Sequence, residues 1–409
     1  MRILQLCKKF PFPLKDGEAI AVTYMAKALS SLGAEISLLS MNTVKHHVNV
    51  DAIEDQLSYY KQVEVVDLDN RIRLKDALSN LFSKDSFHIS RFISPTFEAK
   101  LVELLTANSY DIILLESLYM APYIPIIRAN STAVVVQRSH NVEYEIWERV
   151  GKQSASFLKS KYILHLSRKL KNYEIIQLNQ YDLLLSMSDR DLSVFKGLGF
   201  TGSSMVVPIG LEMANYPEQV PDFAKPLSMA FIGSLDWIPN QEGLDWFLKE
   251  VWPELSANYP ELTFHIAGRN IPPFYRDLQV HQVIVHGEVE SAIDFMLQHQ
   301  VLVVPLFSGS GMRVKILEAL ALGRIVISST IGAEGIDAKP DSEILIADAK
   351  EDYFRAVDSI KNDHAKAIAM SSAVQAFARK NYSNLVIATK VLKTFEVLIK
   401  SSDTAKKER

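Results

Sequence analysis

One cysteine, Cys7, stands among 409 residues. That excludes an internal disulfide and any thiolate-clustered metal site, and it fits a reducing compartment. Long hydrophobic runs are missing too. The most apolar long stretch, Asp111 to Asn130, is interrupted by Glu116, Pro122 and Pro125, whereas a spanning helix needs about 20 largely apolar residues. At the start, Lys8 and Lys9 are followed by Phe10-Pro11-Phe12-Pro13, and the prolines break any secretory apolar core. The expectation is a cytoplasmic protein without a spanning segment, free to sit peripherally on the inner face of a membrane.

Charge of one sign is also lacking. Lys and Arg number 44 against 48 Asp and Glu, a net charge of −4, so nothing global points to nucleic acid. The ten histidines show no ligand spacing of the His-Glu-x-x-His kind. No internal repeat or low-complexity segment is visible. With 48% hydrophobic and 22% charged residues the composition is that of a globular protein, long enough for two or three domains of roughly 100–200 residues.

Short apolar runs alternate with helical patterns nearly throughout. Ile3–Cys7, Ile36–Met41, Val63–Leu68, Asp111–Leu115, Ala133–Val136 and Leu183–Met187 read as strands. A second series comprises Met229–Gly233, Leu262–Ala267, Val283–Val285, Val301–Leu306, Ile325–Ser328 and Ile344–Ala347. Such Val-, Ile- and Leu-rich runs without alternation suit parallel strands covered on both faces. Between them lie amphipathic segments: Met25, Leu29 and Leu32 fall at i, i+4, i+7, and Gly33 closes that helix. The pattern predicts α/β architecture with two doubly wound sheets. The boundary falls in Gly210–Pro226, which holds Pro217, Pro221 and Pro226. Beyond Tyr382 the pattern is purely helical.

The segment Ser308-Gly309-Ser310-Gly311-Met312-Arg313-Val314-Lys315 follows an apolar strand and opens a helix that carries Glu318. Small residues let a ligand approach the backbone, and a helix N-terminus offers free N–H groups. Arg313 and Lys315 add cations, which describes a site for phosphate or diphosphate. Glu318 is placed to accept hydrogen bonds from vicinal sugar hydroxyls. The same segment also reads as an ordinary strand–loop–helix with surface charges.

This segment resembles the donor signature of retaining family-4 glycosyltransferases, glycosyl transferases group 1. Their pattern has two glutamates separated by seven residues, then Ala and a later Gly. Glu318 matches the second glutamate, which contacts the nucleotide ribose in the family. The first falls on Ser310, and a small residue also occurs there in other members. Upstream, Phe231-Ile232-Gly233-Ser234-Leu235-Asp236-Trp237-Ile238-Pro239-Asn240 is similar to the first strand and loop of the family's donor domain. Many members place an Arg and a Lys in that loop; here Ser234 and Asn240 stand nearby, with Arg313 and Lys315 as the substitutes. Phe264–Arg269, Val285–Val289 and Ile331–Gly335 extend the match, whose specific part runs from about Met229 to Ala349.

The first half matches more loosely. Asp16-Gly17-Glu18 resembles the glycine turn that faces the donor phosphates, though a plain βα turn reads equally well. Gln137-Arg138-Ser139-His140-Asn141 follows a buried strand, and a His at a strand's carboxyl end in an α/β sheet is an active-site candidate. In relatives this His lies beside the transferred sugar; on its own it also reads as a structural residue.

Two other features compete for attention. Asp67-Leu68-Asp69 has the Asp-x-Asp form of metal-dependent glycosyltransferases, a three-residue pattern common by chance. Arg149–Tyr173 carries seven Lys or Arg and no acid, with Phe157, Tyr162, Ile163, Leu166 and Leu170 interleaved. It reads either as a surface for anionic lipid or charged acceptor, or as a packed helix with a solvated basic face.

The resemblance implies a GT-B-like fold, two Rossmann-like domains facing across a cleft. Residues 1–208 form the acceptor side, 209–382 bind the donor, and 383–409 form a C-terminal helix crossing back to the first domain. It implies transfer from a nucleoside-diphosphate sugar to a hydroxyl of a glycan or lipid-linked acceptor, with retention and without metal or other cofactor. His140, Arg313, Lys315 and Glu318 are the implied catalytic residues. Gly17, Gly233, Ser310 and Gly311 join the last three in donor binding. A nucleotide-sugar epimerase or hydrolase of the same fold, or a silent sugar-nucleotide-binding scaffold, are the alternatives.

Overall fold

The computed structural model describes residues 1–14, 16–71, 80, 83, 85–154, 156–309 and 311–407. The chain folds as two compact units, Met1–Gly210 with Ile387–Arg409, and Leu211–Val386. Expected boundaries at 208 and 382 give way to 210 and 386 for a local reason. The Leu211 N–H donates to the Tyr382 carbonyl at 2.7 Å, and the Asn384 N–H donates to the Leu211 carbonyl at 3.0 Å. That pairing holds residues 383–386 in the second unit.

The first unit is built on a seven-stranded sheet. Its strands are β1 (Arg2–Cys7), β2 (Glu35–Thr43), β3 (Gln62–Leu68), β4 (Ile112–Glu116), β5 (Val134–Ser139), β6 (Leu183–Ser186) and β7 (Ser203–Val206). Their order is β3-β2-β1-β4-β5-β6-β7, every pair parallel. The second unit holds β8 (Ser228–Ile232), β9 (Thr263–Ala267), β10 (Val283–Gly287), β11 (Val301–Val304), β12 (Ile325–Ser328) and β13 (Leu345–Ile346). These run in the order β10-β9-β8-β11-β12-β13, again all parallel. Both sheets are doubly wound, and in each the order reverses beside the first strand, between β1 and β4 and between β8 and β11. Ligands of such sheets bind outside the carboxyl ends at that reversal. β7 escaped the sequence pattern because Ser203-Ser204-Met205-Val206 is a part-exposed edge strand, without the apolar run of a covered one.

Each sheet is packed on both faces. In the first unit, Leu4, Leu39, Ile113 and Val135 turn to one apolar cluster, while Ile3, Ile36, Ile112 and Val134 turn to the other. Ile387, Ala388, Val391 and Phe395 complete the second cluster, which gives the last helix its place in this unit. The period-2 division explains why the strands read as continuous hydrophobic runs.

The helices that position side chains discussed below are α1 (Gly17–Ser31), α2 (Glu143–Lys152), α3 (Phe157–Gln177), α4 (Ile238–Trp246), α5 (Ala292–Leu297), α6 (Val314–Ala321) and α7 (Asn384–Lys407). Asp16 caps α1, its carboxylate accepting the Ala19 N–H at 2.9 Å, a contribution of about 1 kcal/mol. Beyond its end Gly33 takes φ +89°, a left-handed conformation that glycine adopts without strain. Among the described residues no helix is long and apolar enough to cross a membrane.

Candidate active site

In the second unit the chain leaves β8 at Ile232 and turns through Gly233 before α4. A Cβ on Gly233 would lie 2.7 Å from Asn240 Nδ2 and 3.2 Å from Lys315 Nζ. One on Gly268, after β9, would lie 1.7 Å from the Gly233 carbonyl oxygen. Two backbones therefore touch here, and only glycine permits it. Asn240 is buried and donates to the Ser234 carbonyl at 2.8 Å, pinning the loop to the start of α4.

Lys315, in the first turn of α6, enters this loop from the neighbouring strand's crossover. Its ammonium donates to the Ile232 carbonyl at 2.9 Å and to Asn240 Oδ1 at 3.2 Å, and lies 4.6 Å from the Phe231 ring centroid. Burial, reinforced by the Arg313 charge, pushes it down to about 7. Arg313 is the N-cap residue of α6 and is itself buried. Its guanidinium donates to the Gly311 carbonyl and stacks 5.5 Å from the Trp237 ring centroid. Gly309 and Gly311 both have positive φ, +116° and +83°, so the loop after β11 needs glycine at both. Ser310 lies outside the described residues. Glu318, one helical turn beyond Lys315, accepts a hydrogen bond from the Tyr216 hydroxyl at 3.0 Å; burial raises its pKa and that bond partly offsets the rise. Gly233, Gly311, Arg313 and Lys315 thus lie at the β8/β11 reversal, with Glu318 on the same helix.

The first unit has its own polar centre at the β1/β4 reversal. His140 directly follows β5, and its Nε2 is 2.8 Å from Glu116 Oε2, at the end of β4. Glu116 is fully buried. It also accepts from Gln5 Nε2 at 2.7 Å and pairs with Arg138 at 3.4 Å. Burial alone would raise its pKa, but Arg138, His140 and Gln5 together hold it down to about 2. Beside them, Lys8 pairs with Glu18 at 3.2 Å and stands 4.5 Å from the Tyr119 ring centroid. Burial works against the Lys8 charge, yet Glu18 and Glu143 keep its pKa above the ordinary value. Gly17 begins α1. It is exposed, and a Cβ there would meet only Ile209 Cδ1 at 4.0 Å.

Sequence reasoning singled out His140 and Arg138 but missed Glu116, which registered only as a break in an apolar stretch. A carboxylate at the last position of a fully covered strand was the available signal. Lys8 and Lys9, directly after β1, entered the sequence reading only through the charge they place before Phe10-Pro11-Phe12-Pro13. Tyr216 left no signal. Neither aspartate of the Asp-x-Asp segment joins a carboxylate cluster among the described residues: Asp67 is 3.5 Å from His47, and Asp69 is held by Arg71 at 2.8 Å. In the basic segment Ile163, Leu166 and Leu170 point inward, whereas Phe157 and Leu158 are 70% and 78% exposed. Histidine spacing concealed one grouping: His265, His286 and His299 come together in the second unit.

The two parallel-sheet, Rossmann-like units match the fold of solved GT-B glycosyltransferase structures. The solved structure of HepE from Anabaena in complex with UDP and glucose is similar with a TM-score of 0.62 at 15% identity, covering 97% of this chain and 100% of that one. Sucrose-phosphate synthase from Thermosynechococcus elongatus gives a TM-score of 0.67 at 15% identity, with 98% and 100% covered. Residues 226–363, most of the second unit, match the family described as glycosyl transferases group 1. Over 408 residues the chain is 21% identical to an uncharacterized 44.6 kDa protein in the cps region of Klebsiella pneumoniae, covering 96% of this chain and 99% of that protein.

Proposed function

We propose that this protein is a retaining, metal-independent glycosyltransferase that moves a sugar from a nucleoside-diphosphate donor to a hydroxyl of a glycan or lipid-linked saccharide. The observation that carries the reading is the position of Lys315 against Gly233 and Asn240, at the reversal of the second sheet. A diphosphate bound there meets a lysine ammonium, the Arg313 guanidinium and the N-terminal N–H groups of α6. As the glycosidic bond to the diphosphate breaks, negative charge grows on the leaving oxygen, and preoriented donors of this kind stabilise it. Glu318, steadied by Tyr216, accepts from the ribose hydroxyls. His140, braced by Glu116, orients the donor sugar.

The UDP complexes of HepE support a nucleotide donor, and the cps-region relative supports a polysaccharide-directed acceptor. Phe157 and Leu158 favour a second, compatible role. Two exposed apolar side chains beside Lys152, Lys159 and Lys161 suit the headgroup boundary of an anionic membrane, which supports peripheral binding at the inner face of the cytoplasmic membrane.

Release of nucleoside diphosphate from a panel of nucleotide sugars tests the reaction. A transferase accelerates release when acceptor is supplied. Acceptor-independent interconversion of the sugar would instead establish an epimerase, and absence of release with every donor and acceptor would leave a scaffold.

A further inference from the structure

The donor chemistry makes no use of His265, His286 and His299. His265 sits in the middle of β9, His286 near the end of β10, and His299 between α5 and β11. One ring nitrogen from each lies within 4.8 Å of the others, and His265 Nδ1 is 2.9 Å from His286 Nε2. The β9/β10 register shifts between Val285 and Gly287, a bulge of the kind that re-aims a side chain.

Outward nitrogens of two rings are already held. His265 Nε2 lies 3.1 Å from Thr263 Oγ1, and His299 Nδ1 lies 2.5 Å from Ser228 Oγ. With those N–H groups donating to hydroxyls, His265 Nδ1 and His299 Nε2 carry lone pairs. His299 is 5% exposed and its Nε2 has no hydrogen-bond partner, a buried orphan that costs about 1–3 kcal/mol unless something fills it. A hydroxyl or carbonyl partner on the far nitrogen is the usual support of a ligating histidine.

We infer that His265, His286 and His299 form a binding site for a first-row divalent cation of the zinc type, with solvent as the fourth ligand on the exposed His286 side. Metal–nitrogen bonds of about 2.0–2.1 Å separate tetrahedral ligands by roughly 3.3 Å, within the spread of the three nitrogens. Three imidazoles and no carboxylate select such an ion over magnesium or calcium. Its role is to brace the donor unit. The bound ion ties the edge strand β10 to β9 and to the turn before β11. At the end of β10 the Gly287 carbonyl accepts the Gly268 N–H at 2.9 Å, and Gly268 rests on Gly233.

The test needs no glycosyl transfer, so its outcome is independent of the proposed reaction. Full-length protein freed of metal by chelation is titrated with Co²⁺ alone and followed in the visible range. One equivalent should produce the absorption of four-coordinate cobalt, and Zn²⁺ should displace it. His286→Ala, at an exposed position, should weaken binding at least about 100-fold. Ser228→Ala should weaken it about 10- to 100-fold, the usual effect of losing a ligand's supporting partner. His364→Ala, at a surface histidine outside the cluster, should change nothing. Zn²⁺ should also protect His286 of the wild-type protein from diethyl pyrocarbonate, a readout that does not depend on any variant folding. Absence of saturable binding at one equivalent, binding unchanged in His286→Ala, or modification of His286 unaffected by Zn²⁺ would each overturn the assignment.

Discussion

Lys315 Nζ stands 3.2 Å from Asn240 Oδ1, which brings a cation borne by α6 into the loop that follows β8. Many members of the resembling family carry cations on that loop itself. Here Ser234 instead bonds Asp236 at 2.5 Å and Asn240 pins the loop, so the charge arrives from the adjacent crossover. Donor binding should therefore depend on α6 more than on α4.

Arg313→Ala should weaken binding of UDP, taken as the probe, by roughly 10- to 100-fold, the equivalent of one charged hydrogen bond of about 1.5–3 kcal/mol. Uridine should bind wild type and variant alike, since its ribose still reaches Glu318. Calorimetry with both ligands checks this, and equal losses for the two would indicate a collapsed loop.

On the proposed reading, Lys315 should make diphosphate binding pH-dependent. Burial holds the free lysine near 7, and a bound anion favours its charged form, so binding takes up a proton above neutrality. UDP affinity should fall as pH rises above about 7, by up to about tenfold per unit. Lys315→Met should flatten the slope. The same depression acts on folding: below about 7 both states carry the proton, and between about 7 and 10.5 only the unfolded state does. Stability from this group thus rises with pH across that window. Titration in buffers of different ionisation enthalpy measures the uptake.

His140→Ala should abolish most turnover while shifting the denaturant midpoint little. Glu116 would lose one partner but keep Arg138 and Gln5, so no buried charge is stranded. Glu116→Ala, by contrast, leaves Arg138 buried without its carboxylate and should destabilise by about 3–5 kcal/mol. Kinetics and unfolding on the same samples decide it. Easy unfolding of His140→Ala with normal turnover would reassign that residue to structure.

Vesicle co-sedimentation should require anionic lipid and weaken with salt, because each Lys or Arg near the surface contributes about 1 kcal/mol and is screened. Phe157→Ser with Leu158→Ser should reduce binding at every salt concentration, since it removes the apolar anchor and leaves the charge. Absence of binding to both anionic and neutral vesicles would assign the segment to packing alone.

Added Mg²⁺ or Mn²⁺ should not change turnover if, as proposed, Lys315 and Arg313 supply the positive charge that a metal would otherwise bring to the diphosphate. EDTA should leave initial rates unchanged while lowering the melting temperature, as expected if the only bound ion is the one held by the three histidines. Recovery of a lost rate specifically by Mg²⁺ would return Asp67 and Asp69 to consideration.

The strands were legible because burial on both faces writes Val, Ile and Leu continuously into β1, β4 and β11, and β7 was missed because its edge position demands no such run. The glycine-rich loop and Glu318 were legible for the same local reason: a turn, its cations and the helix behind it are consecutive in the chain. The sequence by itself thus determined two doubly wound sheets and a glycine-rich loop that opens a cation-bearing helix. Tertiary structure alone decided that Lys315 meets Asn240, that Glu116 holds His140, and that three histidines from separate elements converge. These pairings depend on strand order and register, which bring together residues 75 and 24 positions apart. Hydrophobic periodicity specifies which face of a strand is buried, but not which strand lies beside it.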